Sequence, residues 1–87
     1  MEIASLLRRS RRLAGLTFPQ ISLATMIDAP SLSRYERGYQ YPSDDRTEHI
    51  LGTIARLATE GVGDPAKAAK AKADYEACDA GTGGSPE

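Results

Sequence analysis

The spacing of helix stops and starts between Gly15 and Gly38 constrains this chain most. Two helix starts fall inside that interval. Thr17 can cap a helix, Gln20 three residues on completes a capping box, and Pro19 suits a first turn. Asp28 can cap a second helix, again with a proline, Pro30, in the first turn. The interval therefore predicts two short helices, over 18–25 and 29–37, joined by a tight turn at Met26-Ile27-Asp28. Helices shorter than ~12–15 residues are marginal alone, so these two must be held by packing against longer ones.

The flanking sequence supplies the longer helices. Ile3, Leu6, Leu7, Ser10, Leu13 and Ala14 recur at helical spacing and end at Gly15, predicting a first helix over 2–14. After the loop Tyr39-Gln40-Tyr41-Pro42, Ser43 caps a fourth helix, with Asp44 and Asp45 in its positive first turn. Ile50, Leu51, Ile54, Leu57 and Ala58 form its buried stripe, and Gly61-Val62-Gly63 ends it. Asp64-Pro65 opens a fifth helix, from Ala66 to about Cys78. It is alanine-rich, with Tyr75 its one large apolar residue. Its lysines come early and its acids late, against the helix dipole.

The fold class expected is all-α: one five-helix, lambda-repressor-like domain with a helix-turn-helix. Residues 1–60 form the DNA-binding part, 61–79 a C-terminal helix and candidate dimerisation element, and 80–87, rich in Gly, Ser and Pro, a disordered tail. At 87 residues the stability margin is thin, so a partner subunit matters.

The net charge of −1 hides a segregation. Residues 1–41 carry six arginines, no lysine and three acids, a net +3, whereas residues 42–87 carry five bases and nine acids, a net −4. Arginine suits sites where a planar fork of donors meets phosphate or a guanine edge. Several function classes find no footing. No apolar run approaches the ~20 residues of a membrane span. No basic start precedes the first apolar stretch, so the N-terminus does not read as a signal peptide and a cytoplasmic location is expected. Cys78 has no partner for an internal disulfide, and His49 has no Cys or carboxylate at metal spacing. No Ser/His/Asp set, catalytic carboxylate pair or phosphate loop appears, so no enzyme activity, cofactor, metal or small-molecule ligand is expected.

Two short helices with polar residues on the outer face of the second have the geometry for placing a helix in a DNA major groove. The outward positions on that second helix are Ala29, Pro30, Ser31, Ser33, Arg34 and Arg37. The stretch from Gly15-Leu16-Thr17 to Ser33-Arg34-Tyr35-Glu36-Arg37-Gly38, followed by Pro42-Ser43, resembles the Cro/repressor-type helix-turn-helix family, also called the xenobiotic-response-element family. The resemblance spans about residues 5–58. It departs at Ser22, Thr25 and Met26, where the family usually has alanine, leucine and glycine, and at Phe18, where glutamine is common.

The resemblance implies roles. Arg34 and Ser33 reach base edges with Ser31 and Arg37 nearby, and Ala29 and Pro30 touch thymine methyls. Tyr39, Gln40 and Tyr41 match a backbone-contacting loop. Thr17 and Phe18 stand where the family contacts phosphate, and Arg8, Arg9 and Arg12 are phosphate candidates. Arg11 and Glu36 match a pair that ties the first helix to the third. The partner implied is double-stranded DNA, bound by a homodimer at an inverted repeat with half-sites ~34 Å apart. An alternative is a protein-binding module on the same fold, such as an antitoxin subunit or an antagonist of a host regulator.

Overall fold

The computed structural model describes residues 2–82, with side chains as far as Ala77. Its elements are five helices: α1 (Ile3–Leu13), α2 (Phe18–Thr25), α3 (Ala29–Arg37), α4 (Asp44–Thr59) and α5 (Pro65–Thr82). No strand occurs among the described residues.

The start signals work as their chemistry demands. Thr17 Oγ1 accepts from the Gln20 amide while the Thr17 amide donates to Gln20 Oε1, closing the capping box of α2. Asp28 caps α3 through the Ser31 amide, and Ser43 caps α4 through the Arg46 amide. Each cap satisfies an amide that the first helical turn leaves without an intrahelical partner. Gly38, at φ 79°, ends α3 in the left-handed region.

α1 is the hub. It packs against α3, α4 and α5, while α2 bridges α3 and α4. Leu7 of α1, Leu16 of the first turn, Ile21 of α2, Leu32 and Tyr35 of α3, and Ile50, Ile54 and Leu57 of α4 meet in one core. Each such side chain contributes roughly 1.5–3 kcal/mol by leaving water, which is what holds the two short helices in place. Tyr35 completes the core with its ring, and its hydroxyl accepts a 2.8 Å hydrogen bond from Arg46 Nη1.

The fifth helix extends past its expected end and packs on its own chain. It runs to Thr82, so the first three residues of the segment read as a tail, 80–82, are helical; 83–87 lie outside the described residues. It also has a seat within its own chain: Ala71 is buried, and Tyr75 lies beneath Arg9 and Arg12 of α1. Scarcity of large apolar residues does not prevent packing when alanine lets two helices approach closely.

The seat depends on two glycines. The Asp64 amide donates to the Gly15 carbonyl at 2.9 Å, pinning the α4–α5 linker onto the α1–α2 turn. A Cβ on Gly15 would overlap the Asp64 carbonyl oxygen, and one on Gly63 the Ala14 carbonyl oxygen. Gly52, exposed in the middle of α4, has nothing within 4 Å of its Cβ position. Gly63→Ala should therefore destabilise by about 1–3 kcal/mol, the cost of overpacking, whereas Gly52→Ala should stabilise by about 0.5–1 kcal/mol through helix propensity. Urea titration followed by circular dichroism checks both, and equal stability of Gly63→Ala and wild type would place the linker away from α1.

Candidate nucleic-acid interface

α3 is positioned from below by one arginine. Arg11 Nε donates to Glu36 Oε2 at 2.7 Å and Arg11 Nη2 to Glu36 Oε1 at 3.1 Å, a bidentate pair between α1 and α3. Its third bond, Nη1 to the Leu16 carbonyl at 3.1 Å, reaches the α1–α2 turn. The Phe18 ring lies 4.3 Å below the same guanidinium. The side chains are 18% and 9% exposed, so water does little of the screening.

With α3 held on that side, its opposite face is open. Pro30 and Arg34 are exposed there, Arg37 is exposed on the flank beside Glu36, and Tyr39 and Tyr41 stand about three-quarters exposed in the following loop. The six outward positions read from sequence divide. Ala29 and Ser33 are half-buried on one flank, Ser33 in a notch with Arg8, Phe18 and Arg37. Ser31 is half-buried on the other flank, its hydroxyl donating to Asp28 Oδ1 at 2.9 Å and accepting from Arg34 Nη2 at 3.3 Å.

The expected phosphate-contacting residues also separate. Arg8 stands beside α3 in the notch with Ser33 and Arg37. Arg9 and Arg12 lie over Tyr75 of α5, at 5.0 and 5.8 Å from the ring centre. The Thr17 side chain is engaged in its capping box, and the Phe18 ring packs on the core under Arg11. Gln40 accepts from Arg34 Nε at 3.0 Å, so its carbonyl oxygen is committed to a neighbour on α3.

No family model, curated protein or solved structure matches the chain.

The turn between α2 and α3 carries features that sequence reading passed over. Met26 occupies the left-handed region at φ 65°, where glycine is usual, and its side chain is 88% exposed. Thr25 is buried, and its hydroxyl donates to the Ile21 carbonyl at 2.7 Å and accepts from the Ile27 amide at 3.2 Å. His49 Nε2 donates to the Thr25 carbonyl at 3.2 Å, so this lone histidine closes the C-terminal end of α2. No described group of three or more His, Cys, Asp or Glu is arranged to hold a metal ion, and no described helix is long and apolar enough to cross a membrane.

Two predictions follow from this geometry. Arg11→Ala strands the Glu36 carboxylate in a largely shielded site, at a cost of about 3 kcal/mol. For a domain this size that is a fall of more than about 10 °C in Tm by calorimetry. Arg9→Ala, losing an exposed cation–π contact, should cost below about 1 kcal/mol. Equal falls in Tm would mean that water reaches the pair.

The second concerns Asp28. The Ser31 hydroxyl and then the Ser31 amide hold its carboxyl below the ordinary aspartate range, with a smaller pull from the Arg34 charge. Because the folded value is the lower one, the cap stabilises fully above the free-aspartate value of about 3.9 and is lost as pH falls through the folded value. An NMR titration should place Asp28 below free aspartate, with Ser31→Ala moving it back up. An ordinary value in the wild type would mean that the hydroxyl is not engaged.

Proposed function

We propose that this chain is a sequence-specific DNA-binding transcriptional regulator, acting as a repressor, which sets α3 into the major groove as a homodimer on an inverted-repeat operator. The observation that carries the reading is the open face of α3. It is braced from behind by the Arg11–Glu36 pair and presents Arg34 to solvent, with Arg37 exposed on its flank. The exposed Tyr39 and Tyr41 at its end, and Arg8 beside it, suit contacts to phosphate. The resemblance of residues 5–58 to the Cro/repressor-type helix-turn-helix family supports the same reading. A two-fold dimer doubles the few contacts that a nine-residue helix can make. The absence of a catalytic constellation in the sequence agrees with a binding role.

One observation favours a second reading. Leu23 and Met26 are 82% and 88% exposed on the outer side of α2 and its turn. Large apolar residues so exposed suit a protein-binding module, either an antitoxin subunit or an antagonist of another regulator. The two readings part on salt. A regulator loses DNA affinity steeply as salt rises, because each neutralised phosphate releases counterions.

Selection of duplexes from a random library, with the protein's mass in solution measured alongside, tests the regulator directly. Arg34→Ala should weaken operator binding by about 1–3 kcal/mol and relax preference at one base pair per half-site, leaving random duplex binding almost intact. Arg8→Ala should weaken all duplexes alike and reduce the salt slope by about 1. Failure to enrich any duplex at low salt would overturn the regulator and leave the protein-binding module.

A further inference from the structure

Arg34 is exposed, yet it is not free. Its guanidinium has five N–H donors in one plane. The Nε–H donates to Gln40 Oε1 at 3.0 Å, and Nη2 donates to Ser31 Oγ at 3.3 Å. Nε and Nη2 form the side edge of the guanidinium. That edge is thus occupied within the protein, from a residue one turn back on α3 and from a residue beyond the Gly38 turn.

The chain of bonds continues to the helix cap. Ser31 Oγ–H donates to Asp28 Oδ1 at 2.9 Å, and the Ser31 amide donates to Asp28 Oδ2 at 3.2 Å. Because its one proton goes to Asp28, the Ser31 hydroxyl offers Arg34 a lone pair. Asp28, Ser31, Arg34 and Gln40 therefore form one directed array, donor to acceptor, across the exposed face of α3. Gln40 can hold Arg34 because the Tyr39 amide donates to the Arg34 carbonyl at 3.0 Å, folding the loop back over the end of the helix.

What remains is the end edge, with one hydrogen on Nη1 and one on Nη2 pointing parallel and away from the side chain. Two parallel donors match the O6 and N7 acceptors of guanine in the major groove. An arginine with both edges free also forks over phosphate, which carries no sequence information. Fixing the side edge leaves the end edge as the one fork and sets its direction before any ligand arrives.

Building on the DNA-binding reading above, we infer that Gln40 and Ser31 are specificity-determining positioning residues. They hold the side edge of Arg34 so that its end edge reads one guanine in each half-site. This moves Gln40 from the phosphate-contacting loop implied by the family resemblance into the base-reading apparatus, one step removed from the base.

The test is library selection followed by competition binding of the full chain, with the selected duplex and its single-base variants at the guanine. Wild type should enrich one guanine per half-site, and Arg34→Ala should abolish that preference. Gln40→Ala and Ser31→Ala should each reduce the guanine preference by about five- to tenfold. Preference at other positions should be unchanged, affinity for random duplex should shift less than twofold, and Gln40→Ala should leave Tm as in wild type. Ser31→Thr, which keeps the hydroxyl, should restore the preference that Ser31→Ala loses. If Arg34→Ala erases the guanine but Gln40→Ala does not weaken it, positioning by Gln40 is overturned while the regulator stands. If Gln40→Ala weakens every duplex equally, Gln40 is a phosphate contact and the inference is overturned. A selected motif that Arg34→Ala leaves intact also overturns it. A selection that enriches no duplex removes the DNA-binding reading itself.

Discussion

One guanidinium joins by directed bonds three parts of the molecule that otherwise meet only through the apolar core. Arg11 leaves α1, grips Glu36 of α3 with two bonds, takes the Leu16 carbonyl in the turn between α1 and α2, and covers the Phe18 ring at the start of α2. A planar fork can satisfy a carboxylate and a carbonyl in one plane while its face rests on an aromatic ring, and lysine cannot. Apolar burial holds α3 against α1 and α2, and α2 against α4, turning Leu32 and Tyr35 inward. The pair adds a directional bond that fixes the Glu36 side of α3 against α1. Pro30 and Arg34, on the opposite side of the helix, face water.

That arrangement redistributes the charge of the first half of the chain. Of four arginines on α1, Arg11 is spent inside, and Arg9 and Arg12 rest on Tyr75 of α5. Arg8 bridges the two groups, lining both the notch with Arg37 beside α3 and the pocket over Tyr75 with Arg9 and Arg12. The net +3 of residues 1–41 therefore centres on α1 rather than on the open face of α3. α5 shields part of it, and the positive first turns of α5 add Lys67 and Lys70 next to Arg12 on a different side of α1. Charge counts indicate how much attraction a chain can exert on phosphate; the tertiary fold decides where it is exerted.

The boundaries of α2 and α3 were legible because caps are local. A side chain two or three residues from an amide either reaches it or does not, and Thr17, Asp28 and Ser43 all do. The Arg11–Glu36 pair, 25 residues apart, was accessible only through family resemblance, since no local rule links the two positions. The seat of α5 was not legible. It rests on Gly15 and Gly63 letting backbone meet backbone, a contact to which side-chain patterns are blind. The Arg34–Gln40 bond was hidden for a related reason: six residues separate them, and only the reversal at Gly38 brings them together.

The turn between α2 and α3 shows how a strained residue is accommodated. A non-glycine residue in the left-handed region costs roughly 1–2 kcal/mol, and Met26 stands there. The neighbouring Thr25 helps to offset it. Its hydroxyl closes the last turn of α2 on the Ile21 carbonyl and takes the Ile27 amide just past the strained residue. His49, from α4, ties down the Thr25 carbonyl. Each net hydrogen bond contributes about 1 kcal/mol, so three of them are of the right size to balance one strained residue. The unfolded state adds to the balance, because a chain with methionine at this position has less backbone freedom to lose than one with glycine. Thr25 and Met26 are thus coupled. Met26→Gly alone would relieve strain that the hydroxyl already offsets, and Thr25→Leu alone would leave the Ile27 amide without its acceptor beside a strained backbone. The turn that aims α3 is held by polar bonds rather than by glycine, and for that reason the Met26 side chain is free to project into solvent.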